Sequence, residues 1–446
     1  MNKRRVLIAL EQLGVGGIET FVLNQVKALK NKNMDVYVIA KKGIYSNQFK
    51  QAGAKTIDYT FEDCTYFDLN KVNKMIKILK DNKIDEVHIN QFPIMNILMP
   101  ACILSNTPYV VYLHMASGII NDPVHNAYNY FEKQFVSYNK CFKMLFKYAT
   151  SIVAITEAIK NHTAERYGID KKKIIVRPNA IDLSEFTTKK KVTQIKKVFI
   201  ISRISIEKKN VIINAIKLYK KLKEQDPEIT LSIAGDGNLK PDIEEYIKNQ
   251  KIKDVTMLGN ISNVKEVMEK QDLVIAVDRC IMEALCLKKL SVISGYDDMK
   301  GLVTKNNLDK CIKENFCGKS LRNRSIEKLA EELLKLNSEK ISKIVNDNLK
   351  VVKNKLDINK NVFYLDITKV KYNREEFIYD LFELSEILGK SQKDYRERLD
   401  QTWYEFKGYE ERIKRRYGLF EKIFHILGNI LRGIKRLFQK KDANLK

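Results

Sequence analysis

The chain has 446 residues, more than one hydrophobic core usually supports, so two domains with an appendage are expected. Its 80 Lys plus Arg against 55 Asp plus Glu give a formal charge of +25, which favours an anionic partner, nucleic acid or acidic lipid, without choosing between them. A hydrophobic share of 44%, without low-complexity tracts or a solenoid repeat, excludes disordered and fibrous classes.

No apolar run of about 18 residues is present. Met1-Asn-Lys-Arg-Arg5 leads directly into a short strand instead of a signal-peptide core, which places the chain on the cytoplasmic side. The seven cysteines form no CxxC pair and are odd in number, so they read as reduced and mostly structural. The five histidines show no HExxH or paired spacing, and no protein-bound catalytic metal or other cofactor is expected.

In chain order, strands are predicted at Arg5 to Leu10, Val36 to Ala40, Glu86 to Asn90, Val110 to Leu113, Ser151 to Thr156 and Ile174 to Val176, with helical patterns between them. Such alternation implies a parallel, doubly wound sheet, because parallel strands need helical crossovers. The pattern breaks at Arg177-Pro-Asn179-Ala-Ile-Asp182 and a basic stretch, Thr187 to Lys197. A second series follows at Val198 to Ser202, Thr230 to Ala234, Val255 to Leu258, Leu273 to Val277 and Ser291 to Ser294, with helices from Val211 and Asp242. From about Ser325 the pattern is helical, apart from a possible strand at Val362 to Leu365. The expected domains are residues 1–186, 187–335 and a mainly helical extension, 336–446.

Ligands of parallel sheets collect beyond the carboxyl ends of the strands. After the first strand comes Leu13-Gly-Val-Gly16-Gly17-Ile-Glu19-Thr20 and then a helical pattern, Phe21 to Leu29. These glycines let backbone approach a ligand and put helix amides toward an anion; the same turn also occurs in α/β proteins without a ligand. His114 ends the Val110 strand, either to bond a sugar hydroxyl or as a loop histidine satisfied by backbone. Lys197-Val-Phe-Ile-Ile-Ser-Arg203-Ile-Ser-Ile-Glu-Lys208 ends a buried strand in a forked donor and a point charge. That pair suits a diphosphate, or is two solvated cations. Gly235 and Gly237 form another strand-end turn. Asp278 and Arg279 open a helix whose first turn could meet phosphate, while Glu283 could accept from ribose hydroxyls or be a plain helical carboxylate.

Taken together, residues 3 to 335 resemble the retaining GT-B glycosyltransferases of family 4. Gly16-Gly17-Ile-Glu19 is similar to the family's glycine loop, His114 to its strand-end histidine, and Pro178-Asn179-Ala-Ile-Asp182 to its interdomain turn. Ser202-Arg203-Ile-Ser-Ile-Glu207-Lys208 is similar to its Gly-Arg-Leu-x-x-Glu-Lys segment. The resemblance implies two Rossmann-like α/β domains, the first on the acceptor side and the second for the nucleotide sugar. It implies metal-independent hexose transfer with retention, in which Arg203, Lys208, Glu283 and His114 serve the reaction. Gly16, Gly17, Asn179, Gly235, Asp278 and Arg279 would bind the donor, a nucleotide-diphosphate sugar with UDP preferred to GDP. Glu283 matches only the second of the family's paired glutamates. The first falls on Ile275, inside a strand, so the donor-sugar contact is absent or comes from Asp278 or Arg279.

Between Arg415 and Lys441, Phe420, Ile423, Phe424, Leu427, Ile430, Leu431, Ile434, Leu437 and Phe438 recur at helical spacing. Arg432, Lys435, Arg436, Lys440 and Lys441 share this stretch, as in an interfacial helix on anionic lipid or a helix docked on protein. The reading is a peripheral enzyme on the inner membrane face, using a saccharide or lipid-linked acceptor in cell-surface polysaccharide, glycolipid or teichoic-acid-type polymer synthesis. No nucleic-acid module is recognisable. Two other classes remain: a catalytically silent GT-B subunit that stabilises a partner transferase, and a nucleotide-sugar epimerase.

Overall fold

The computed structural model describes residues 3–14, 16–61, 69–91, 94–114, 136–261, 263–366 and 369–380. Its first sheet is built from β1 (Arg5–Gln12), β2 (Asp35–Lys41), β3 (Lys55–Asp58), β4 (Glu86–Ile89), β5 (Tyr109–Leu113), β6 (Ser151–Ala154) and β7 (Ile174–Val176). The order is β3-β2-β1-β4-β5-β6-β7, and every pairing is parallel. The physical cause is visible in β1: Val6, Leu7, Ile8, Ala9 and Leu10 are all fully buried, as a strand covered on both faces requires. Each such large side chain contributes roughly 1.5–3 kcal/mol relative to exposure.

The second sheet contains β8 (Lys197–Ile201), β9 (Thr230–Ala234), β10 (Val255–Gly259), β11 (Leu273–Ala276), β12 (Leu290–Ser294) and β13 (Met299–Leu302), in the order β10-β9-β8-β11-β12-β13. The two α/β halves match the expected class. Both switch strand order beside their first strand, β1 or β8, so the turns after those strands lie where the crossovers diverge.

Three details differ from the sequence reading. β3 was not expected, because its four residues are an edge strand exposed at both ends and carry no apolar run. β13 was not expected either, and it pairs antiparallel with β12. Residues 362–365 are not a strand. They run along the first half instead, where the Leu365 amide donates to Glu86 Oε1 at 2.9 Å and the Tyr112 hydroxyl to the Phe363 carbonyl at 3.1 Å.

The helix Ser338–Lys355 packs on the second half, with Ile341 and Val345 in the core around β8 and Val352 in the core around β11. Beyond it the chain crosses back: Ile358 joins Ala28 and Ala180, and Leu365 joins the core under β1 and β2. Both sheets lie within one compact unit. The basic amphipathic stretch Arg415 to Lys441 lies outside the described residues. Among the described residues no helix is long and apolar enough to cross a membrane.

Candidate active site

Beyond β1, Gly16 is the extended N-cap of the helix Gly17–Asn31, with φ −172° and no side-chain cap. The Thr20 hydroxyl and amide both donate to the Gly16 carbonyl, at 2.8 and 3.0 Å. A Cβ added at Gly17 would meet nothing within 4 Å, so the loop borders open space. The chemistry around it is acidic. Burial, reinforced by Glu19, raises the Glu11 carboxyl above its ordinary value. Two carboxylates suit hydroxyl donors better than a phosphate.

His114 directly follows β5, with its ring edge-on to Phe21 at 4.9 Å and parallel to Tyr112 at 6.3 Å. Its Nε2 lies 3.0 Å from Oδ1 of Asn90, the residue after β4. An amide oxygen only accepts, so Nε2 carries the proton and Nδ1 is the acceptor. Burial pushes the imidazole down to about 4, and the ring is neutral at pH 7.

In the second half, the loop after β8 lies directly on the turn after β9. Ser202 N donates to Ala234 O at 3.1 Å and Ile204 N to Asp236 O at 2.9 Å. Gly235 and Gly237 adopt φ of +137° and +150°, and a Cβ on them would sit 1.8 Å from Ser202 O and 2.2 Å from Ile204 O. Only glycine allows this approach. Gly235 therefore sets the path of the loop that carries Arg203.

Arg203 is 71% exposed and only loosely paired with Glu207, at 3.7 Å. Lys208, by contrast, is 16% exposed, and its Nζ lies 3.0 Å from Asp278 Oδ2. The Tyr296 hydroxyl donates to the same oxygen at 2.6 Å, and the Lys208 ammonium stands 5.6 Å from the centre of the Tyr296 ring. Burial, then the Asp278 charge, pushes the Tyr296 phenol far above its ordinary value, so it stays protonated.

Asp278 caps the helix Arg279–Cys286 with φ +59° and ψ −139°. Arg279 turns toward the link between the halves: Nε lies 2.9 Å from Glu283 Oε1 and Nη1 3.4 Å from the Ala180 carbonyl. Asn179, also in that link, donates from Nδ2 to Asn315 Oδ1 at 2.9 Å. Cys280 follows Arg279 in this helix. Burial and Glu283 push its thiol up to about 12, and it also feels Lys208, Asp278 and Arg279.

The structure thus joins Lys208 to Asp278, Arg279 to Glu283, and the Asn179 turn to the second half. His114 packs with first-half residues: Phe21, Tyr112 and Asn90. Tyr45 is linked electrostatically to both sets: burial raises its phenol above the ordinary value, Thr20 and Arg279 oppose the rise, and Glu283 and Glu19 reinforce it. Sequence reasoning missed Asn90, Tyr296 and Tyr45. The strand-end rule could have found the first two, which follow β4 and β12; nothing in the sequence marks Tyr45. Ile275 is fully buried in β11, so no carboxylate reaches the site from that position. Among the described residues no group of three or more His, Cys, Asp or Glu could hold a metal ion.

Residues 15–185 match Glycosyltransferase Family 4, and residues 184–354 match Glycosyl transferases group 1. No curated protein sequence matches the chain. Among solved structures it is similar to a glycosyltransferase from Rickettsia africae ESF-5, at 18% identity and TM-score 0.60, covering 87% of this chain and 99% of that one. It is similar to Anabaena Alr3699/HepE in complex with UDP and glucose, at 16% identity and TM-score 0.59, covering 80% and 96%. It is also similar to TarM, known from S. aureus, at 12% identity and TM-score 0.58, covering 85% and 99%. At these identities the likeness is one of fold. Two consecutive family matches, laid over two α/β halves of this architecture, establish that the chain belongs to the GT-B glycosyltransferases.

Proposed function

We propose that this glycosyltransferase moves a hexose, with retained anomeric configuration, from a nucleotide-diphosphate sugar to a saccharide or lipid-linked acceptor. The observation that carries the reading is the loop after β8, which presents an exposed Arg203 and, five residues on, Lys208 in contact with Asp278 at the start of Arg279–Cys286. These cations offset the charge that develops on the departing diphosphate, the task a divalent ion would otherwise perform. The acceptor oxygen bonds to the anomeric carbon on the face the diphosphate leaves. The bond from that carbon to the phosphate oxygen breaks, and the acceptor proton passes to this oxygen.

In this reading Glu283 accepts from ribose hydroxyls, and neutral His114 accepts a sugar hydroxyl at Nδ1. The first half, residues 1–186, faces the acceptor and residues 187–335 hold the donor. UDP is the preferred nucleotide, a choice supported by the UDP bound in Alr3699/HepE. The Arg415 to Lys441 stretch would hold the enzyme on anionic lipid at the inner membrane face, where cell-surface polysaccharide, glycolipid or teichoic-acid-type polymers are assembled.

The test is thermal stabilisation by UDP, GDP, ADP, CMP and their sugar conjugates, since a ligand that binds only the folded state raises its stability. One nucleotide diphosphate should stabilise the protein, and Arg203→Ala should abolish the shift. A silent-subunit reading is favoured by one observation, the buried Ile275 in place of a sugar-binding carboxylate. Absence of any nucleotide shift would select it.

A further inference from the structure

The donor-site cation Lys208 is not free. Its ammonium and the Tyr296 hydroxyl meet the same carboxylate oxygen of Asp278, at 3.0 and 2.6 Å. The arrangement is built from several sides. The carbonyl of Tyr296 accepts from Asn210 Nδ2 at 3.2 Å, which fastens it to the helix that follows Lys208. Just beyond it in β13, the nearly buried ammonium of Lys300 holds Asp297 at 2.8 Å and Asn323 at 2.7 Å.

Asp278 itself sits in a backbone conformation that only glycine adopts without strain, with its amide donating to Phe316 O at 3.2 Å. For a residue with a side chain this conformation is strained, and such strain gathers at ligand clamps and switches. Glycine would relieve it, yet a carboxylate stands there and points at the lysine.

We propose that Asp278 is an internal competitor for the donor site: its carboxylate takes the place of a phosphate on Lys208, and a nucleotide diphosphate must displace it to bind. This rests on the donor-site reading given above. Lys208 then exchanges one anion for another, and the released carboxylate must find a new donor. A nucleotide sugar can offer the hydroxyls of its hexose; the nucleotide diphosphate left after transfer has lost that hexose and keeps only its ribose hydroxyls, which Glu283 takes. Closure of the clasp onto Lys208 therefore works against product retention. Tyr296, whose proton stays on the phenol, holds the carboxylate in the closed position.

The experiment is calorimetric titration of UDP and of GDP into the full chain and its variants. Asp278→Asn keeps the size of the side chain and removes its charge, and should tighten the better-bound nucleotide about tenfold, equivalent to about 1.4 kcal/mol. Asp278→Gly, which fits the backbone, should tighten it as well and guards against misfolding of the first variant. Tyr296→Phe should act in the same direction more weakly. In a Lys208→Ala background the gain from Asp278→Asn should vanish, because the competition is for that ammonium. Unchanged or weaker binding in both Asp278 variants, with wild-type binding that Arg203→Ala abolishes, overturns the clasp and leaves the donor site standing. Absence of UDP and GDP binding in the wild type and in both Asp278 variants overturns the clasp and the donor site together.

Discussion

The Arg279 guanidinium lies 2.9 Å from the Glu283 carboxylate one turn along the same helix, and the two side chains are only 11% and 10% exposed. Burial raises the Glu283 carboxyl above its ordinary value, and Arg279 pulls it back. Nη2 of Arg279 has no hydrogen-bond partner among the described residues. Removing the carboxylate would leave a buried cation with little compensation, so Glu283→Ala should cost about 3 kcal/mol of stability. Glu283→Gln keeps an accepting oxygen and should cost less; urea titration of the two variants measures the difference.

His114 makes stability depend on pH. Its folded-state value, about 4, lies below the ordinary 6.5 because burial disfavours the charged ring. As pH falls below 6.5 the unfolded chain takes up a proton that the native site refuses, so stability is complete above that value and is lost down to about 4. The full effect is about 3 kcal/mol at most. Between pH 7 and pH 4.5 the wild type should lose about 2 kcal/mol more than His114→Gln, read from urea midpoints; equal losses would remove the assignment.

Gly235→Ala should be among the more damaging single-methyl changes in the second half. The added carbon would fall 1.8 Å from the Ser202 carbonyl, in a backbone region open to glycine alone. A loss of about 2 kcal/mol or more is expected, together with weaker nucleotide binding, because the displaced loop carries Arg203. Calorimetry of unfolding with and without nucleotide reads both effects.

Arg203→Ala separates binding from folding. The side chain is 71% exposed and its ion pair is long, so stability without ligand should change by no more than about 0.5 kcal/mol. The nucleotide-dependent gain in melting temperature should disappear. A large fall in the ligand-free melting temperature would assign Arg203 to the fold.

Much of this architecture is legible in the sequence for one physical reason: strands covered on both faces are unbroken apolar runs, as in Val6 to Leu10 or Val198 to Ile201. Where that cause is missing, the signal is missing too. β3 is a half-exposed edge, and β13 contains Lys300, which is buried only because Asp297 and Asn323 hold its ammonium. Residues 362–365 have the composition of a strand, but the Leu365 amide is taken by a carboxylate from β4. The strand-end cations and glycines could be read locally. The Lys208 and Asp278 pair could not, since 70 residues separate them and neither neighbourhood marks the other. The turn after β7 was legible as a break in the strand pattern, whereas its attachment through Ala180 and Asn179 is tertiary.

Among the described residues the chain passes between the halves twice, and the two crossings run side by side. Ile181 pairs with Asp357 in a parallel bridge, with Ile181 N donating to Leu356 O at 2.9 Å and Ile358 N to Ile181 O at 3.1 Å. A double ribbon of this kind behaves like the spine of a book. Flexing about its length leaves both amide bonds intact, while swivelling or sliding one half past the other would shear them. The double connection therefore resists sliding or swivelling of one half on the other more than it resists bending about its own length.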